Sequence, residues 1–157
     1  MIHPGGPDRE TADIGGTAMT APRSFRAIGI LLLLWNLTGV AAFIMQYGAD
    51  LGQLAKTDPY SARIFASMPG WAWTAYAVAV GAGTLGALLL LLRKAAAAPL
   101  FLLSILAVVV QFGYSFIHTD LLAVKGPTAA IFPAIILIIA LFQWRYARNL
   151  IAKAVLR

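Results

Sequence analysis

Between Ile64 and Thr119 the chain carries only two formal charges, the adjacent Arg93 and Lys94, and one imidazole, His118. The apolar runs on either side are each long enough to cross a hydrocarbon core, which takes about 20 residues of helix. Backbone amides have no water to bond with in lipid, so a crossing segment must satisfy them internally as a helix. The pair therefore predicts a helical hairpin pinned at one membrane face. Two more uncharged stretches, from Ala27 to Ala49 and from Pro127 to Trp144, bring the number of candidate crossings to four.

The expected fold class is all-α: a polytopic membrane protein, a bundle of four transmembrane helices spanning about 27–47, 71–92, 97–119 and 127–144. That core occupies 23–148, after an N-terminal tail (1–22) and before a basic C-terminal tail (149–157). Of 157 residues 61% are hydrophobic and 11% charged, against about 25% charged in soluble domains. Nothing is left over for a separate soluble domain. Cysteine is absent, which removes disulfides, thiolate metal sites and cysteine nucleophiles from consideration.

The N-terminal tail is rich in Gly, Pro, Thr and acids, without hydrophobic periodicity, and is expected to be disordered. Met19, just before the first basic cluster, is a candidate translation start. Arg23 and Arg26 precede the first apolar run in the manner of a signal peptide, but a signal core is about 7–15 residues. This run is longer and is read as a retained helix. In the 48–70 connection, Thr57-Asp58-Pro59 has a capping side chain followed by proline, a helix start. Tyr60, Ile64, Phe65 and Met68 then form one apolar stripe. A surface amphipathic helix, a partly buried turn and a gating lid all fit it. Pro133 is expected to kink the fourth span, and the basic tail to run as a helix along the headgroups.

Charge sets the orientation. Arg23, Arg26, Arg93, Lys94, Arg145, Arg148, Lys153 and Arg157 fall on one side, and Lys56, Arg63 and Lys125 on the other. Eight against three predicts that the first side, with both termini, is cytoplasmic, facing anionic lipids of a bacterial inner membrane. The net charge of +6 is thereby explained as topology anchors, and nucleic acid is not an expected partner.

The spans contain no Asp, Glu, Lys or Arg, so an ion-coupled pump lacks its intramembrane ionisable group. Uncharged polar residues are present instead. Gln111, Tyr114, Ser115 and His118 follow helical spacing on the third span, as Asn36, Gly39, Phe43 and Gln46 do on the first. Two readings stand. Asn36, Gln46, Gln111, Tyr114 and His118 either line an outward-facing cleft for a small neutral solute such as a sugar, or hydrogen-bond between helices. The small residues Ala79, Ala82, Gly83, Gly86 and Ala87 predict close helix approach, with Gly81 and Gly113 as further packing positions and candidate contacts in a homodimer. His118 has no second axial ligand at hand, and no cofactor, metal or catalytic constellation is expected; the chain is not read as an enzyme.

Trp35-Asn36-x-x-Gly39, Pro69-x-Trp71, Leu91-Leu92-Arg93-Lys94, Pro133 and Trp144-Arg145-Tyr146-Ala147-Arg148 occur in that order. In this the chain resembles small bacterial four-helix inner-membrane proteins commonly labelled "sugar transporter", over about 21–148. The resemblance implies sugar transport and carries over no site residues. The proline-glutamine motif of three-helix sugar facilitators and the first-span glutamate of small multidrug exporters are absent. An accessory role beside another membrane complex is the alternative function.

Overall fold

A computed structural model describes residues 24–157; the N-terminal tail, Met19 and Arg23 lie outside the described residues. The described chain is helical throughout: α1 (Phe25–Tyr47), α2 (Leu51–Thr57), α3 (Pro59–Ser67), α4 (Gly70–Leu91), α5 (Ala97–His118), α6 (Leu121–Lys125), a 3-10 turn (Pro127–Ala130) and α7 (Ile131–Ala152). Four segments are long and apolar enough to cross a membrane: α1, α4, α5 and the run from Pro127 to Ala152. At one end, the tail end, lie Phe25, the Arg93-Lys94 bend and Arg157. At the other, the loop end, lie α2, α3 and α6.

α4 and α5 form the central pair, and α1 and α7 flank it. About a third of the α4 crossing is buried (33%) but only 11% of α1 and of the last crossing. Their remaining surface is Leu, Ile, Val and Phe. In lipid an exposed Leu costs nothing, so helix association depends on close approach and interhelical hydrogen bonds. The small residues provide the approach. Ala79, Ala82, Gly83, Gly86 and Ala87 are all buried. A Cβ on Gly86 would stand 2.9 Å from the Phe101 ring, and one on Gly29 would stand 2.5 Å from Leu91 Cδ2. Phe25, Leu90 and Phe101 are the largest fully buried side chains, so the densest core is at the tail end.

Two of the expected packing glycines are corrected. A Cβ at Gly81 or Gly113 would meet no described residue within 4 Å. Gly81 is exposed, because the α4 face used for packing runs through residues 79, 83 and 87 and leaves 81 on the opposite side.

The C-terminal tail is the largest departure from expectation. α7 continues past Trp144 to Ala152, as the helical reading of the tail expects, but the last residues do not extend it. Ala154 then turns left-handed, with φ +52°. The Val155 N–H donates to Leu150 O (2.9 Å) and the Ala154 N–H to Ile151 O (2.9 Å), a Schellman cap built on alanine instead of glycine. The same cap ends α4. Arg93 has φ +58°, its N–H donates to Leu90 O, and that of Lys94 donates to Leu89 O. The two caps then meet: the Arg157 N–H donates to Arg93 O and the Ala95 N–H to Arg157 O, each at 2.9 Å. Val155 and Leu156 are buried beneath this bridge. The tail folds under the bundle because its apolar pair completes the core of Phe25, Leu90 and Phe101.

Pro133 does not interrupt α7. It is the third residue of that helix, within the first turn, where backbone N–H groups have no intrahelical partner anyway.

Candidate functional site

Asn36 stands near the middle of α1. Its amide Nδ2 donates to Leu32 O (2.7 Å) and to Gln143 Oε1 on α7 (3.0 Å). Gln143 is only 2% exposed and Ser104 7%, and the Ser104 hydroxyl donates to Ala79 O at 2.7 Å. All four crossings thus converge on one polar node. Gly83 makes it fit, since a Cβ there would collide with Asn36 Oδ1 and stand 3.1 Å from Ser104 Oγ. Of the two sequence readings, Asn36 takes the interhelical one. It also lines a small recess of about 80 Å³ with Trp35, Thr38, Gly39, Ala79, Val80 and Val108.

On the loop side of the node, Val108 is shared with a second cavity. This one, about 180 Å³, is lined by Gln46 of α1, Tyr76 of α4, Val108, Gln111 and Phe112 of α5, and Phe132 of α7. Gln46 and Gln111 therefore line one cavity. Tyr76 belongs to the same wall. Roughly six waters fit such a volume at about 30 Å³ each. It is smaller than the roughly 300–1,000 Å³ of most ligand pockets. Two amides and a phenol against aromatic walls can exchange hydrogen bonds with hydroxyls but offer no charge.

Tyr114 and His118 do not join this cavity. The Tyr114 ring packs edge-on against Trp71 (5.2 Å) and stacks on His118 (5.4 Å), and its hydroxyl reaches Ser67 O at 3.5 Å. The helical spacing is sound; the facing wall ends too soon. At about 1.5 Å rise per residue, the 14 residues from Ser104 to His118 climb about 21 Å, while the 11 from Asn36 to Tyr47 climb about 16 Å. His118 stands roughly one turn beyond the end of α1.

At the loop end lie α2 and α3, packed against each other. Asp50 caps α2, accepting from the Gly52 and Gln53 N–H groups, an element absent from the sequence reading although Asp50 is its evident capping residue. Asp58 caps α3, accepting from the Ser61 N–H at 3.1 Å with Pro59 in the first position, as expected. The apolar stripe of α3 is half-buried and faces the bundle: Phe65 packs on Trp73 at 5.8 Å, and Trp73 joins Phe43, Tyr47 and Tyr76 in one aromatic cluster. Arg63 binds both carboxylate oxygens of Asp120 (3.1 and 2.9 Å), and Lys125 lies 3.8 Å from Asp58. Between these pairs the Tyr60 ring is flanked by Arg63 and Lys125, each 5.2 Å from its centroid. The Tyr60 hydroxyl is buried with no hydrogen-bond partner among the described residues, and burial pushes the phenol up. Hydrogen bonds from Ser61 hold the Asp58 carboxyl below its ordinary value, and the Arg63 guanidinium does the same for Asp120.

Charge is divided between the ends. At the loop end Lys56, Arg63 and Lys125 stand beside Asp50, Asp58 and Asp120, three against three. At the tail end Arg26, Arg93, Lys94, Arg145, Arg148, Lys153 and Arg157 have no acidic residue among the described chain to offset them. Arg93 rests instead over the Phe25 ring (5.7 Å) and Arg148 over Trp144 (5.2 Å).

No protein-family model, curated protein or solved structure matches the chain.

Proposed function

We propose that this protein is an integral membrane protein of the bacterial inner membrane that passes a small neutral polar solute through the cleft beside Gln46 and Gln111. The observation that carries the reading is the cavity itself. Two amides and a tyrosine, from three different crossings, converge in a space that holds no charged residue. Such a lining suits the hydroxyls of a polyol or sugar. At about 180 Å³ the cleft takes a polyol of about six non-hydrogen atoms, by the volume of the waters it would replace. A sugar ring requires α1 and α7 to part further. In this reading the tail end, with seven unopposed basic residues, faces the cytoplasm, and the cleft opens outward at the loop end.

The cavity is lined within one chain, so a homodimer is not needed to complete it. Gly81, where an added Cβ would meet no described residue within 4 Å, remains a face on which two copies could meet, while Gly113 lines a groove beside Pro133 and Leu137 of α7.

Uptake of labelled glycerol, erythritol and glucose into liposomes containing the pure protein tests the reading. Flux through the native chain, reduced at least about tenfold in Gln46→Ala/Gln111→Ala and retained in Gly81→Ala, is the expected result. No flux of any solute, with stable co-purification of another membrane protein, would instead support the accessory role.

A further inference from the structure

Trp144, Arg145, Arg148, Asn149 and Ala152 line an open groove of about 330 Å³ along the last turns of α7. It lies at the opposite end from the solute cleft and shares no residue with it. Neither arginine is in an ion pair among the described residues. Among the described residues the acids, Asp50, Asp58 and Asp120, are all at the loop end. Stacking on Trp144 (5.2 Å) holds the Arg148 guanidinium while leaving its N–H donors free.

The groove also has an apolar continuation. Ile138, Phe142, Arg145, Asn149 and Ala152 follow one another at i, i+4, i+7, i+11 and i+14, one face of the helix. Ile138 is 65% exposed and Phe142 50%, so this face is bare for two turns before it turns basic. An apolar strip leading into two unpaired guanidiniums beside an indole has the profile of a phospholipid. Acyl chains would lie against Ile138 and Phe142, the phosphodiester between Arg145 and Arg148, and the polar headgroup at Asn149. Guanidinium forks match phosphate oxygens in geometry as well as charge. With no acidic side chain nearby among the described residues to receive an ammonium group, the site discriminates against zwitterionic headgroups.

We propose that this groove is a binding site for one anionic glycerophospholipid of the phosphatidylglycerol class, beyond the general attraction of a basic surface to an anionic leaflet. Free phosphate would satisfy the arginines but leave the apolar strip unused.

Native mass spectrometry of the full chain, titrated in detergent with phosphatidylglycerol or phosphatidylcholine of the same acyl chains, tests the site. One phosphatidylglycerol is expected to bind at least about tenfold more tightly than phosphatidylcholine, and Arg145→Gln/Arg148→Gln is expected to abolish that preference. Lys94→Gln/Lys153→Gln removes two charges from the same end outside the groove and is expected to retain it. Arg145→Lys/Arg148→Lys, which keeps the charge and loses the fork, is expected to fall between. Equal loss in the lysine pair would reduce the effect to diffuse electrostatics and overturn the site. Displacement of the lipid by millimolar inorganic phosphate would overturn the lipid assignment in favour of a simple anion site.

Discussion

The amide of Asn36 donates to Gln143 Oε1 at 3.0 Å, joining the first and last crossings across 107 residues of sequence. α1 and α7 otherwise make little contact. This bond, passing beside Gly83 and Ser104, therefore sets how far apart the two flanking helices stand. It lies on the tail side of the cleft, which shares Val108 with the recess beside Asn36. A double-mutant cycle of Asn36→Leu and Gln143→Leu is expected to give a coupling between about 0.6 kcal/mol, the average measured for such bonds in a bundle, and about 1.7 kcal/mol, the largest. Unfolding in mixed micelles reads it out. Additive effects would show that the bond carries no weight.

Gly83 and Gly81 differ by two residues and should differ sharply in tolerance. The Cβ of Gly83→Ala collides with the Asn36 carbonyl oxygen and crowds Ser104 Oγ, so the node must open. Overpacking of this kind costs about 1–3 kcal/mol. Gly81→Ala enters open space and gains roughly 0.5–1 kcal/mol of helix propensity. Thermal unfolding of the two variants side by side checks the contrast.

The two left-handed caps make a second contrasting pair. Ala154 at φ +52° carries a Cβ strain of about 1–2 kcal/mol. Glycine relieves it, and loses about 0.4–1 kcal/mol through its freer unfolded chain. Ala154→Gly is therefore expected to stabilise by about 0.5–1 kcal/mol. Arg93→Gly gains the same backbone relief but gives up the guanidinium over Phe25, a contact of about 0.5–1 kcal/mol at an exposed site. It is expected to be nearly neutral. Hydrogen exchange at the Val155 and Arg157 amides reports the local effect.

The docking of α3 should weaken in acid. The Asp58 and Asp120 carboxyls are both held below their ordinary value in the folded chain. Their contribution is present above the unfolded value of about 4 and is lost as the pH falls through the lowered folded values. Both carboxylates are well solvated, so salt weakens the pairs as well. Protease nicking between Leu51 and Ser67 is expected to quicken below about pH 4. Asp120→Asn should give that faster nicking at neutral pH. Unchanged nicking in Asp120→Asn would leave the Arg63 pair without a role in docking.

The four crossings are legible in the sequence because uncharged run length is a direct physical constraint in lipid. Asp58-Pro59 marks a helix start just as directly. The polar node is only partly legible. Ser104 and Gln143 are each the lone polar residue within a long apolar run, which marks them as needing partners. Which partners they take depends on contacts 25 and 107 residues away. The tail departs from its sequence reading for a related reason. Leu150, Ile151, Ala154 and Val155 lie between basic residues and read as a membrane-surface helix. A left-handed alanine and backbone bonds to Arg93 and Ala95 instead bring Val155 and Leu156 into the core. Tyr114 and His118 share a helical face with Gln111, but spacing along one helix says nothing of where the opposite wall ends.

The native chain has no cysteine, so the proposed outward opening of the cleft can be probed directly. Gln111→Cys is treated in intact cells with a membrane-impermeant thiol reagent, with and without a saturating polyol; Lys94→Cys serves as the tail-end control. The expected result is labelling of Gln111→Cys from outside, slowed by the polyol, and no outside labelling of Lys94→Cys. A Gln111→Cys that stays inert, or reacts only once the cytoplasmic face is opened, would contradict the cleft.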